Sequence, residues 1–155
     1  MGGLAFFLSA FLAIIALFYL VILFISLVVG TFTAIVNWIL LKKAGESGWK
    51  CLIPVYGAYV FFDLAWSPGA FWRYMLAYLG ADISLVVLQF GIVQAIIPTI
   101  IFAIWLIIIK LRYSLKLAQS FGYKKIFGLG LFFVPIVFNA IMAFDRRNKY
   151  VGPIF

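Results

Sequence analysis

The chain has 155 residues, 68% of them hydrophobic and only 10% charged, where a soluble domain carries about 25% charged residues. That leaves too little polar surface to face water, which excludes a soluble globular protein. The net charge of +8 does not indicate nucleic acid, because the cations stand in short clusters between apolar runs, the pattern that orients spans against an anionic cytoplasmic leaflet.

The expected fold is therefore an all-α integral membrane protein of the cell membrane, one transmembrane domain over residues 1–155. About four membrane-embedded segments are predicted, two of them short and Gly/Pro-interrupted. The first apolar run, 4–41, exceeds the 7–15 residues of a signal-peptide core and follows no basic stretch, so it reads as a retained anchor. It is also longer than the roughly 20 residues one crossing needs. One long, tilted helix is expected, ended by the loop Lys42 to Lys50 with Gly45, Gly48 and the interfacial Trp49.

Residues 51–66 form the first short segment, carrying Pro54 and Asp63. Ser67-Pro68-Gly69 then breaks the chain. The next apolar run, 71–109, reads as one overlong helix, since no clear turn signal stands near Gly91. From Lys110 to Phe121, cations alternate with apolar residues, as in a helix lying along the membrane surface. The second short segment, 127–144, contains Pro135 and Asn139 and precedes Arg146 and Arg147.

Two topologies follow. If both short segments cross, there are four spans, and the C-terminal cations face away from the other basic clusters. If both are re-entrant and 71–109 crosses twice, all twelve basic residues share one side. The charge rule favours the second arrangement; the continuity of 71–109 favours the first, which is the expectation taken here.

Chemistry is scarce. There is no histidine, the usual general base and metal ligand. The single Cys51 can form no internal disulfide and reads as a small apolar residue near the interface. No catalytic, metal or cofactor residues are expected, and Gly128–Leu131 lacks the lysine and Ser/Thr of a phosphate loop. The candidate polar groups are Asp82 and Gln89, seven apart on one helical face, together with Asp63 and Asn139. A carboxylate at mid-bilayer costs at least about 2.5–3.5 kcal/mol, which singles out Asp82. Pro54 and Pro135 are expected to break helices and free carbonyls, with Asn139 available to satisfy one. Lys42, Lys43, Lys50, Lys110, Arg112, Lys116, Arg146 and Arg147 are read as headgroup and topology residues.

Two stretches carry a resemblance. Lys43 to Tyr59 has the pattern K-A-G-x-x-G-W-x-x-x-I-P-x-Y-x-x-Y. The second combines Leu117, Ala118, Phe121 and Gly122 with Gly128 to Leu131, Phe133, Pro135, Phe138 and Ala143-Phe144. Together they resemble a family of small bacterial multi-pass membrane proteins of unknown function (DUF5684-like), with Gly57 standing where asparagine is usual. The resemblance implies a membrane location and no particular activity. The functional expectation is a non-enzymatic membrane protein that self-associates or joins a larger membrane assembly. A small channel or transporter using the Asp82/Gln89 face is the alternative, and an intramembrane enzyme is the least favoured.

Overall fold

The computed structural model describes residues 2–91 and 93–154. The described residues form six α-helices: α1 (Gly2–Lys43), α2 (Pro54–Ala65), α3 (Pro68–Gln89), α4 (Ile96–Ser120), α5 (Lys125–Phe133) and α6 (Pro135–Phe144). Short 3-10 turns at Gly48–Leu52 and Val93–Ala95 precede α2 and α4. Three stretches are long and apolar enough to cross a membrane: Phe6–Lys43, Pro68–Gln89 and Val93–Ser120. The all-α membrane fold expected from composition is the one observed.

The chain divides into two compact units, Met1–Ile35 and Val36–Phe155. In the first, large apolar side chains such as Phe11, Phe18 and Phe24 are exposed on every face of the helix, as suits lipid and not water. Three of its hydroxyls bond within the helix: Ser9 Oγ donates to Phe6 O at 2.9 Å, Thr31 Oγ1 to Leu27 O at 2.8 Å and Thr33 Oγ1 to Val29 O at 2.8 Å. Lipid offers a polar group no partner, which favours such local bonds.

The second unit is organised by glycine stops. Gly45 ends α1 at φ +83, with Glu46 N–H donating to Leu41 O at 2.8 Å. Gly122 ends α4 at φ +78, with Tyr123 N–H donating to Ala118 O at 2.9 Å. Both are Schellman closures, in which an αL residue returns orphan carbonyls to the chain and only glycine adopts that geometry without a steric cost. Gly91 also takes the αL conformation after α3, at φ +79, with its N–H on Leu88 O at 3.0 Å.

That last turn corrects the expectation of one helix over 71–109. The run is two helices, α3 and α4, broken at Phe90–Ala95. Apolar neighbours disguise the break, because a single αL glycine suffices to reverse a chain in lipid if the flanking helices bury its backbone. They pack closely here: a Cβ on Gly80 would stand 2.5 Å from the Phe102 ring. The stretch 110–121, expected as a surface helix, continues α4, which runs unbroken to Ser120.

The two prolines act differently. Pro54 breaks no helix; it opens α2 after the 3-10 turn Gly48–Leu52. Pro135 opens α6 directly after α5, so the segment 127–144 is broken into two short helices bent at Val134 (φ −131, ψ 70). A first-turn N–H has no acceptor within its own helix, so neither proline costs α2 or α6 a hydrogen bond. Phe138 folds its ring onto Gly130, where a Cβ would lie 2.2 Å away. Eight residues span about 12 Å along a straight helix, so this contact needs the bend.

A buried core joins Leu40 and Leu41 of α1, Phe61 of α2, Leu117 of α4, Leu131 of α5 and Met142 of α6. A second cluster ties Phe62, Phe71, Ala77 and Ile109 across α2, α3 and α4. Phe62 stacks on Tyr113 at 4.4 Å.

Candidate functional site

The polar chemistry of the second unit is concentrated where the C-terminal ends of α1, α2, α4 and α6 meet. Each helix end leaves unpaired carbonyls and a partial negative charge. Lys43 Nζ donates to two of these on α6, Met142 O at 2.8 Å and Asp145 O at 2.5 Å. The Asp145 carboxylate accepts three donors: Tyr123 OH at 2.7 Å, the Arg147 N–H at 2.8 Å and Asn148 Nδ2 at 3.3 Å. The Tyr123 hydroxyl and the Arg147 amide hold Asp145 below the usual carboxylate range. Burial, then the bond to Asp145, push the Tyr123 phenol up to about 12.

The tail after Asp145 forms a strap. Val151 N–H donates to Ser120 O at 2.7 Å, Tyr150 OH to Leu64 O at 2.9 Å, and Ile154 N–H to Ala65 O at 3.3 Å. Its acceptors are the last carbonyls of α4 and α2. Lys116 Nζ reaches back to Ile154 O at 2.6 Å. Hence residues 44–65 and 121–144 each leave and return to the same end of this unit.

Between α2, α3, α4, α5 and α6 lies a cavity of about 230 Å³, lined by Phe62, Tyr74, Tyr113, Leu131 and Asn139 among others, with Lys110 on its wall. The walls are apolar except for a few convergent polar groups, the usual make-up of a ligand pocket. Asn139 Oδ1 is buried without a hydrogen-bond partner. A lone buried acceptor costs about 1–3 kcal/mol. Ser114 Oγ is already engaged by Lys110 O at 2.9 Å. Asn139, expected to serve a carbonyl freed by Pro135, lines this cavity.

The other expected residues are dispersed. Asp82 and Gln89 lie on the exposed surface of α3, outside this cavity. Asp63 is exposed in the last turn of α2, and Asp145 uses its oxygens on Tyr123, Arg147 and Asn148. Lys50 pairs with Glu46. Lys42 stands 5.8 Å from the Trp38 ring and Lys110 the same distance from Phe132. Arg112, Arg146 and Arg147 are exposed. Sequence reading missed Tyr123, Asn148 and Tyr150, whose partners are 22, 3 and 86 residues away. Only Tyr123 had a local signal, its place directly after the helix-stopping Gly122. Among the described residues no group of three or more His, Cys, Asp or Glu could hold a metal ion.

Residues 49–153 match the model of a family of unknown function (DUF5684). No curated protein and no solved structure matches the chain. The matched span takes in α2 to α6 and most of the strap, and it confirms the resemblance carried by the W-x-x-x-I-P and G-L-G-L-x-F-x-P patterns. The chain belongs to the DUF5684 family, a family of unknown function.

Proposed function

We propose that this protein is a non-enzymatic, multi-pass component of the cell membrane that works by associating with copies of itself, its basic end in the cytoplasm. The observation that carries the reading is a polar stripe on α3. Tyr78, Asp82 and Gln89 all lie on its exposed surface, spaced four and seven residues apart so that they share one face. At 1.5 Å per residue, Asp82 sits about 21 Å along a helix of about 33 Å, well inside a hydrocarbon core about 30 Å thick. A carboxylate there is costly against lipid. Among the described residues it has no hydrogen-bond or ion-pair partner, and a second α3 supplies donors and acceptors at matching depth.

Self-association is tested in native membranes with cysteine introduced at Val86, on the same face, in a Cys51→Ser background. Oxidation is expected to give a covalent dimer. Asp82→Leu is expected to reduce that dimer several-fold. A monomer at every protein concentration, with or without Asp82, would refute the reading. Because the stripe faces outward, a conduction path through one copy finds no support in its position.

The strap supports this orientation. Three crossings by α1, α3 and α4, with α2 and the α5–α6 pair re-entrant, put the basic clusters on one side, as the charge rule asks. Cysteines placed at Glu46, Ser67, Lys124 and Asn148 are expected to react with an impermeant maleimide from one side only, and a cysteine at Gln94 from the other. Labelling of Glu46 and Ser67 from opposite faces would restore the four-span arrangement.

A further inference from the structure

Beside the strap, α4 and the start of α5 enclose a second pocket, of about 310 Å³, lined by Trp66, Arg112, Leu115, Lys116, Gln119 and Lys125. Among the described residues three cations and one amide face it, and no carboxylate does. Arg112 and Lys116 stand four residues apart on α4, where like charges repel. Lys116 also lies within the field of Arg73. Trp66 is flanked by both: Arg73 Cζ is 5.0 Å and Lys116 Nζ 4.8 Å from its ring. Such contacts position cations without neutralising them. The acidic residues are committed or placed elsewhere. Glu46 is paired with Lys50, Asp145 is held by Tyr123, Arg147 and Asn148, and Asp82 lies about 14 residues along α3 from its start at the strap end. Asp63 does not line the pocket.

A concave cluster of uncompensated cations needs an anion. Its depth is set by Trp66, a ring of the kind that sits at headgroup level. Arg112 provides a planar fork suited to phosphate oxygens, and Lys116 and Lys125 provide point charges. We propose that this pocket binds a phosphate group, as presented by an anionic phospholipid headgroup or by a soluble phosphate. The Leu115 side chain and the Trp66 ring give the apolar floor on which an attached glycerol backbone rests. The site goes beyond the self-association reading and does not depend on the α3 contact.

The test is native mass spectrometry of the full chain released from mild detergent. It is titrated with phosphatidylglycerol, with phosphatidylcholine of the same acyl chains, and separately with inorganic phosphate and pyrophosphate. Arg112→Gln/Lys125→Gln removes two exposed pocket charges while leaving the Lys116 tether to Ile154 in place. Arg146→Gln/Lys149→Gln removes two exposed charges from the strap and serves as the charge-matched control. Phosphatidylglycerol is expected to bind in preference to phosphatidylcholine, and the pocket variant to weaken it about tenfold, the loss of about 1.4 kcal/mol, with the control near wild type. If pyrophosphate or phosphate binds with the same dependence on Arg112 and Lys125 and the lipid does not, the phosphate site stands and its source is soluble. Equal losses in both variants, or equal binding of the two lipids with no phosphate binding, overturn the proposal. Dimer mass in the same spectra reports on self-association separately, so either reading can fail alone.

Discussion

Gly128→Val is expected to lower the thermal unfolding midpoint in mild detergent by about 3–10 °C, from an overpacking cost of about 1–3 kcal/mol. The reason is what the new side chain meets. A Cβ at Gly128 would stand 2.6 Å from Leu115 Cα and 3.0 Å from Ser114 O. These are main-chain atoms of α4, which cannot rotate away as a ring does. The α5 helix must therefore lift, and with it the Leu131 and Phe127 side chains that contact the core. By contrast, a Cβ at Gly69 meets nothing within 4 Å. Gly69→Ala is expected to be neutral or slightly stabilising, because alanine loses less backbone entropy in a helix. Circular dichroism during heating of the two variants decides the matter. Equal melting of both would show that α5 does not pack on α4 as described.

The second large effect is expected at the clamp. Lys43→Met keeps the length of the side chain and removes both hydrogen bonds to the end of α6. Bonds from a charged donor contribute about 1.5–3 kcal/mol when shielded, and Lys43 is only half-buried, so a loss of about 1–2 kcal/mol is expected after screening. The strap should then open before the core does, which limited proteolysis between Arg146 and Lys149 reads directly as faster cleavage. The pH dependence has a defined sign. Asp145 is held below its ordinary value of 3.8 by Tyr123 and the Arg147 amide. It therefore stabilises the fold above that pH and ceases to as the pH falls through its lowered value. Tyr123 is raised to about 12 from 10.0. Its contribution is complete below pH 10 and is lost as the pH rises towards 12. Strap protection measured against pH should thus fall at both extremes, and Asp145→Asn should abolish the acidic limb. An unchanged acidic limb in that variant would remove Asp145 from the clamp.

How much of this was legible beforehand differs from one feature to another. Lipid surroundings follow from composition, because a chain with 10% charged residues cannot cover a core with polar surface in any fold. The stops at Gly45 and Gly122 are local as well, since an αL residue after a helix is a matter of backbone sterics and needs no distant partner. Membership of the family rests on short patterns around Pro54 and Pro135 and was equally visible. The turn at Gly91 was not, because hydrophobic flanks of equal strength on both sides give periodicity nothing to interrupt.

Which helix ends meet was beyond the reach of any local pattern. Length and hydropathy describe one segment at a time. Lys43 reaching Asp145 across 102 residues and Tyr150 reaching Leu64 across 86 are what bring those ends together. The same holds for the basic pocket. Arg112 and Lys116 are neighbours on any helical drawing, but Trp66 and Lys125 join them only because α2 and α5 are folded against α4. Hydrophobic burial is non-directional and could be read from residue types. Hydrogen bonds and charge clusters are directional and short-ranged, so their partners exist only once the chain has folded.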